Sequence, residues 1–212
     1  MAGKRRKATR SMKGKRSTKG ESRALGASAE RERAARDTYR HGNLREAAVS
    51  AAFALVAAGG GAALSLRRVA EAVGVAHRSL YNHFADREAL VDAVAEAGFE
   101  ALASKLQTAA TRGEFVKTYV RFVLDHSNLY QVMKSQPVSA INRKPGLQRA
   151  IQLSVKESAR LFCDPNAGPI ENRRSVIKVL ILLYGGISMY VEGILEVSSE
   201  DELIAELQSM IP

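Results

Sequence analysis

Cysteine, tryptophan and proline are scarce in this chain, and the scarcities exclude whole classes of protein. Among 212 residues there is one cysteine, Cys163, so neither an internal disulfide nor a cysteine metal cluster can form. A reducing, cytoplasmic setting suits such a sequence. The four histidines, His41, His77, His83 and His126, show no HExxH pattern and no paired ligand spacing, so no metal and no cofactor is expected. A G-x-S-x-G nucleophile and a phosphate-binding loop are both missing, and Cys163 has no evident base near it in sequence; an enzyme is not expected. Strand-like alternation, Asn-Gly hairpin signals and internal repeats are absent too. The uncharged run from Val179 to Val191 has 13 residues, short of the roughly 20 that a membrane span needs. No apolar run follows the basic start, so a secretory signal is not expected either.

What is present is a core-forming composition and a very uneven charge. Hydrophobic residues make up 46% of the chain, enough for a folded protein rather than a disordered one. The formal charge is +10, and residues 1–36 hold all of the excess, with 13 of the 32 Lys/Arg and 3 of the 22 Asp/Glu. That segment is poor in large apolar residues and broken by Gly and Ser. It reads as a disordered basic arm, with Lys4, Arg5, Arg6, Lys7 and Arg10 at its head. A polyanion is its natural partner, nucleic acid before others. A merely solvated tail or a localisation signal has the same look. Membrane insertion is disfavoured because a helical apolar face is lacking.

From Asn43 the pattern is helical throughout, which predicts an all-α fold. Leu44, Ala48, Ala51, Leu55 and Val56 recur at helical spacing behind an Asn43/Glu46 capping pair, and Gly59-Gly60-Gly61 stops the helix. Ser65 caps the next helix, whose buried stripe is Leu66, Val69, Ala70 and Val73, and Gly74 ends it. A short helix follows from about His77, and Asp86 caps another that runs to about Thr108. Thr111 with Glu114, and Ser199 with Glu202, make further capping boxes. Helices are also predicted over Ser127 to Met133, Gln148 to Phe162, Asn172 to Val197 (the longest) and Glu200 to Ile211.

Two short helices joined by a glycine turn, with a third packed in front, describe a helix-turn-helix. At 100° per residue Leu80 and Phe84 share one face and point inward. Arg78 and Asn82 then point most nearly outward, with Ser79 and Tyr81 on the flanks. Such a donor-rich face suits the major groove of DNA. The wheel places His77 nearer the edge of the core. His83 also has a plainer reading, a half-buried histidine bonded to a carbonyl.

Over residues 41–94 the sequence resembles the DNA-binding domain of the tetracycline-repressor (TetR) family, most specifically in "LSLRRVAEAVGV…LYNHFADREAL". The resemblance implies a three-helix reader over 37–92 and a helical ligand-binding and dimerisation domain over 93–212. It implies base contacts from Arg67, His77 and Arg78, and phosphate contacts from Ser65, Tyr81, His83 and Arg87; the outward face of the wheel adds Asn82 as a base contact and Ser79 as a phosphate contact. Arg87 stands where the family generally has lysine, which keeps the charge. Ala76 stands where it often has Ser or Thr, which removes a capping oxygen worth about 1 kcal/mol.

The segment "FVLDHSNLYQVM", 122–133, is similar to a subgroup with a Trp-His-Gly signature in its C-terminal domain. Here Tyr184 stands for the histidine, Gly185 matches, and the chain has no tryptophan. On the longest helix Val176, Val179, Leu180, Leu183 and Ile187 share one side, while Ile177, Ile181 and Tyr184 lie on another. A helix apolar all round is buried on several sides, so the helices near 172–197 and 200–211 are expected to form a homodimer interface. Phe99, Phe122, Met133 and Tyr184 are candidates to line an apolar effector pocket, against the plainer reading of core packing. The expectation is a homodimeric DNA-binding regulator, a repressor of a near-palindromic operator released by an unidentified small molecule. The rival is a DNA-architectural protein dominated by its arm.

Overall fold

The computed structural model describes residues 44–136, 141 and 144–211. The basic arm with Lys4, Arg5, Arg6, Lys7 and Arg10, the Asn43 cap and the start of the predicted reader at 37–43 lie outside the described residues. Every regular element described is helical. Helix α1 occupies 44–59, and a 3-10 turn at Gly61–Ala63 leads to α2, Leu66–Val73. After it come α3 (His77–Leu80), α4 (Arg87–Gln107), α5 (Arg112–Asp125) and α6 (Ser127–Lys134). The chain closes with α7 (Pro145–Phe162), α8 (Pro169–Val191) and α9 (Glu200–Met210).

Local chemistry sets most of these boundaries. The Ser65 hydroxyl accepts from Arg68 N at 3.2 Å and the Asp86 carboxylate from Ala89 N at 2.8 Å. Thr111 accepts from Glu114 N while the Glu114 carboxylate accepts from Ala110 N, and Ser199 and Glu202 repeat the arrangement. Each such cap satisfies a backbone N–H that the helix leaves over and is worth about 1 kcal/mol.

The longest helix departs from the sequence expectation at both ends. It starts at Pro169, whose missing N–H and fixed φ suit a first helical position. It ends at Val191 rather than Val197, because Gly193 adopts φ 70° and Ile194 N turns back to Met189 O at 2.8 Å. The predicted boundary at 92/93 falls inside α4, which runs unbroken from the reader into the helical body.

From Arg45 onward the chain forms one compact unit. Helix α4 is its spine, packed chiefly on α7 and also on α6 and α5, while α9 lies against α5 and α8. Its core contains Leu102, Leu106, Phe115, Met133, Leu147 and Leu183. Each of these large side chains contributes about 1.5–3 kcal/mol by leaving water. A Cβ on Gly98 would come within 2.8 Å of the Met133 sulfur, so glycine is what allows α4 and α6 to approach.

Candidate nucleic-acid interface

The reader is built around Leu66, Val69, Ala70, Leu80, Phe84 and Leu90, all buried, with Ala48, Ala52 and Val56 of α1 closing the core. Gly74 makes the turn. Its backbone is left-handed, φ 75° and ψ 34°, and Val75 N donates to Ala70 O at 3.0 Å while Gly74 N donates to Glu71 O at 3.3 Å. This is the paired ending by which a glycine closes a helix and redirects the chain. Helix α3 then starts without a side-chain cap at Ala76 and lasts four residues. Two further bonds, from His83 N and Phe84 N to Leu80 O, both 2.9 Å, carry the turn on to Phe84.

With Leu80 and Phe84 inside, the outward face carries His77, Arg78, Tyr81 and Asn82, all exposed. His77 lies outside rather than at the core edge, since as the first residue of its helix it has no preceding turn to pack on. Its ring meets Tyr81 edge-on, with centroids 5.1 Å apart. The side chains of Arg78 and Asn82 make no hydrogen bond among the described residues, so the donors of both are available to a ligand. Arg67 pairs with Glu71 at 3.0 Å, with both side chains mostly in solvent. An exposed pair of this kind holds its arginine only weakly. Ser65 and Ser79 are half-buried, and the Ser65 hydroxyl is already the cap of α2. His83 is half-buried beside Phe84, with ring centroids 6.5 Å apart.

Arg87 has a task the sequence did not show. Its Nε donates to Leu64 O at 2.9 Å and its Nη2 to Gly61 O at 2.7 Å, tying the first turn of α4 to the connection between α1 and α2. Only its remaining N–H groups can serve an anion. Two more cations flank the reader and were not among the sequence candidates. Arg68 donates to Ala63 O at 3.0 Å, and the Arg45 guanidinium lies 5.7 Å from the centre of the Phe84 ring. The signal for Arg45 was its place in the first turn of α1, three residues before buried Ala48.

Further along the chain, the four effector candidates sit in different surroundings. Phe122 and Met133 are core residues, and Phe99 is half-buried. Tyr184 is half exposed, with the Lys134 ammonium 4.8 Å from its ring. Open clefts occur elsewhere. One of ≈ 340 Å³ lies between α1 and the α5–α6 junction, at Phe53, Ala57, His126 and Asn128. Another of ≈ 600 Å³ is lined by Arg112, Phe162, Lys178 and Val179, and a third of ≈ 470 Å³ by Ile181, Met189, Leu203 and Leu207. None of the four candidates lines these clefts. Tyr119 and Tyr130 form a buried pair, with hydroxyls 3.1 Å apart. Burial pushes the ionisation of both phenols upward, that of Tyr119 most. Among the described residues no group of three or more His, Cys, Asp or Glu side chains could hold a metal ion.

Helix α8 is long and apolar enough to cross a membrane by length and composition alone. In this fold one side of it packs inward. Val176, Val179, Leu183 and Ile187 are buried as it packs on α5, α7 and α9, while Ile177, Ile181 and Tyr184 face outward, 41%, 63% and 51% exposed. Lys178 sits near the middle of the helix and is exposed too.

Against this geometry the likeness to known proteins can be placed. Residues 48–94 match the family of bacterial regulatory proteins described as the tetR family. The fold as a whole is similar to a protein of unknown function from Rhodococcus sp. RHA1, at 24% identity and a TM-score of 0.67, over 79% of this chain and 93% of that one. A protein from Rhodococcus sp. described as a TetR-family transcriptional regulator aligns at 17% identity and a TM-score of 0.57, over 80% and 97% of the two chains. The multidrug binding protein EbrR, solved with imidazole, aligns at 20% identity and 0.51, over 79% and 94%. No curated protein matches the sequence. The chain thus carries a TetR-type helix-turn-helix domain, and that domain sits within a TetR-like all-helical fold.

Proposed function

We propose that this protein is a homodimeric transcriptional regulator, a repressor, whose α3 reads the major groove of DNA. The observation that carries the reading is the outward face of α3. The side chains of Arg78 and Asn82 stand exposed with no hydrogen-bond partner among the described residues, directly behind a glycine turn inside the segment that matches the tetR family. Arg78 suits a bidentate contact to guanine and Asn82 one to adenine, with His77 and Arg67 beside them. Ser65, Ser79, Tyr81, His83 and the spare donors of Arg87 flank this face and would hold the phosphate backbone, which fixes register rather than sequence. The basic arm would add phosphate contacts and steepen the salt dependence of binding.

Dimerisation follows from the outward apolar face of α8, supported by α9. Two copies joined there would offer their readers to successive major grooves about 34 Å apart on a near-palindromic operator. The effector in this reading is an apolar small molecule that favours a form with a different reader spacing and so releases the operator. The partial likeness to the Trp-His-Gly subgroup, through Gly185 and the 122–133 segment, belongs to the same proposal. Replacing Arg78 with alanine tests it. The variant should bind the preferred site about 1–3 kcal/mol more weakly and relax one base pair in each half-site. Unchanged base preference would remove Arg78 from the reader.

A further inference from the structure

We propose that Tyr81 is a positioning residue for His77, the two rings acting as one unit on the outward face of α3; the DNA part of this rests on the reader proposal. Helix α3 is both short and uncapped. It has four residues, and Ala76 at its start, φ −63° and ψ 135°, supplies no capping oxygen. A first-turn side chain on such a helix would ordinarily sample several rotamers. His77 instead meets Tyr81 one turn on, with centroids 5.1 Å apart and planes inclined at 71°. This is the edge-to-face arrangement that aromatic quadrupoles favour, at the i, i+4 spacing that brings helical side chains together.

Core packing does not force the contact. Leu80 and Phe84 already fill the interior, and Tyr81 is 50% exposed. The pair therefore has two effects. It braces the uncapped first turn, and it fixes the plane of an imidazole whose terminal torsion is otherwise broad. A base-edge hydrogen bond from a ring nitrogen depends on that plane. Tyr81 thus acts on base choice through His77, while its hydroxyl remains for the phosphate backbone.

Three variants separate these roles: Tyr81→Phe keeps the ring and loses the hydroxyl, Tyr81→Leu loses the ring, and His77→Ala removes its partner. In the DNA-free, full-length protein, the His77 ring-proton resonances should move toward those of a free imidazole in Tyr81→Leu and stay in place in Tyr81→Phe. In site selection, Tyr81→Leu should lose about two- to tenfold of discrimination at the base pair that His77→Ala also relaxes. The double variant Tyr81→Leu/His77→Ala should lose no more than His77→Ala alone. Tyr81→Phe should keep the discrimination and bind all sequences more weakly. The proposal is overturned by resonances indifferent to Tyr81→Leu, by a His77→Ala variant that relaxes no base pair, or by a Tyr81→Leu variant that weakens all sequences alike. A wild-type protein without site preference would instead defeat the reader proposal, and the resonances would still decide whether the rings are paired.

Discussion

At Gly74 a left-handed backbone turns α2 into α3, and a Cβ added there would find nothing within 4 Å. The cost of Gly74→Ala is therefore conformational rather than steric, and about 1 kcal/mol of stability should be lost. Urea unfolding of the two proteins checks this; an alanine variant as stable as the parent would mean that the turn is not held in this conformation. Gly74, Ser65 and Asp86 were readable in the sequence because caps and glycine endings depend on residues within one turn of each other. Arg87 was not. Its carbonyl partners, Leu64 and Gly61, lie 23 and 26 residues away, and only the folded connection brings them under its guanidinium. The position of His77 was misjudged by a helical wheel because a wheel assumes flanking turns, which a first residue lacks.

Between elements, the Tyr119–Tyr130 hydroxyl contact couples α5 to α6. In the unfolded chain both phenols ionise at the ordinary value of 10.0, and burial raises both in the fold. The folded state therefore holds its protons to higher pH. The stability associated with the pair is complete below about pH 10 and is lost as pH rises from there through the folded values. Tyr119→Phe should flatten that alkaline loss in denaturation curves taken from about pH 9 to about pH 11, whatever it does to stability near neutrality. A slope as steep as the parent's would show that the pair does not govern it. Helix positions were legible at this scale wherever a cap or stop marked them, and the end of α8 was missed because Ile194, Leu195 and Val197 carry apolar residues on past Gly193. The effector candidates were the hardest to read. Phe122 and Met133 are apolar residues on helices, and whether such residues line a cavity or fill a core depends on which helices touch, as Gly98 against Met133 shows.

Across the whole molecule, the all-α order of helices was legible from periodicity and caps, whereas the role of α4 as a spine shared by reader and body was not, since packing partners leave no local signal. Of the two sides predicted for the long helix, one is buried except at half-buried Leu180 and the other faces outward. If the outward side is the dimer seam, a charge at its most exposed apolar position, Ile181→Glu, should yield a folded monomer by sedimentation and weaken DNA binding by loss of the second reader. A variant that sediments as the parent does would place the seam elsewhere. The reader itself is tested most directly by selecting sites for the full-length protein from random duplex DNA at moderate salt. Enrichment of a two-fold symmetric site, with half-sites about one helical turn apart, is the predicted result. Tight binding without any enriched sequence would contradict it and would leave the basic arm as the part that holds DNA.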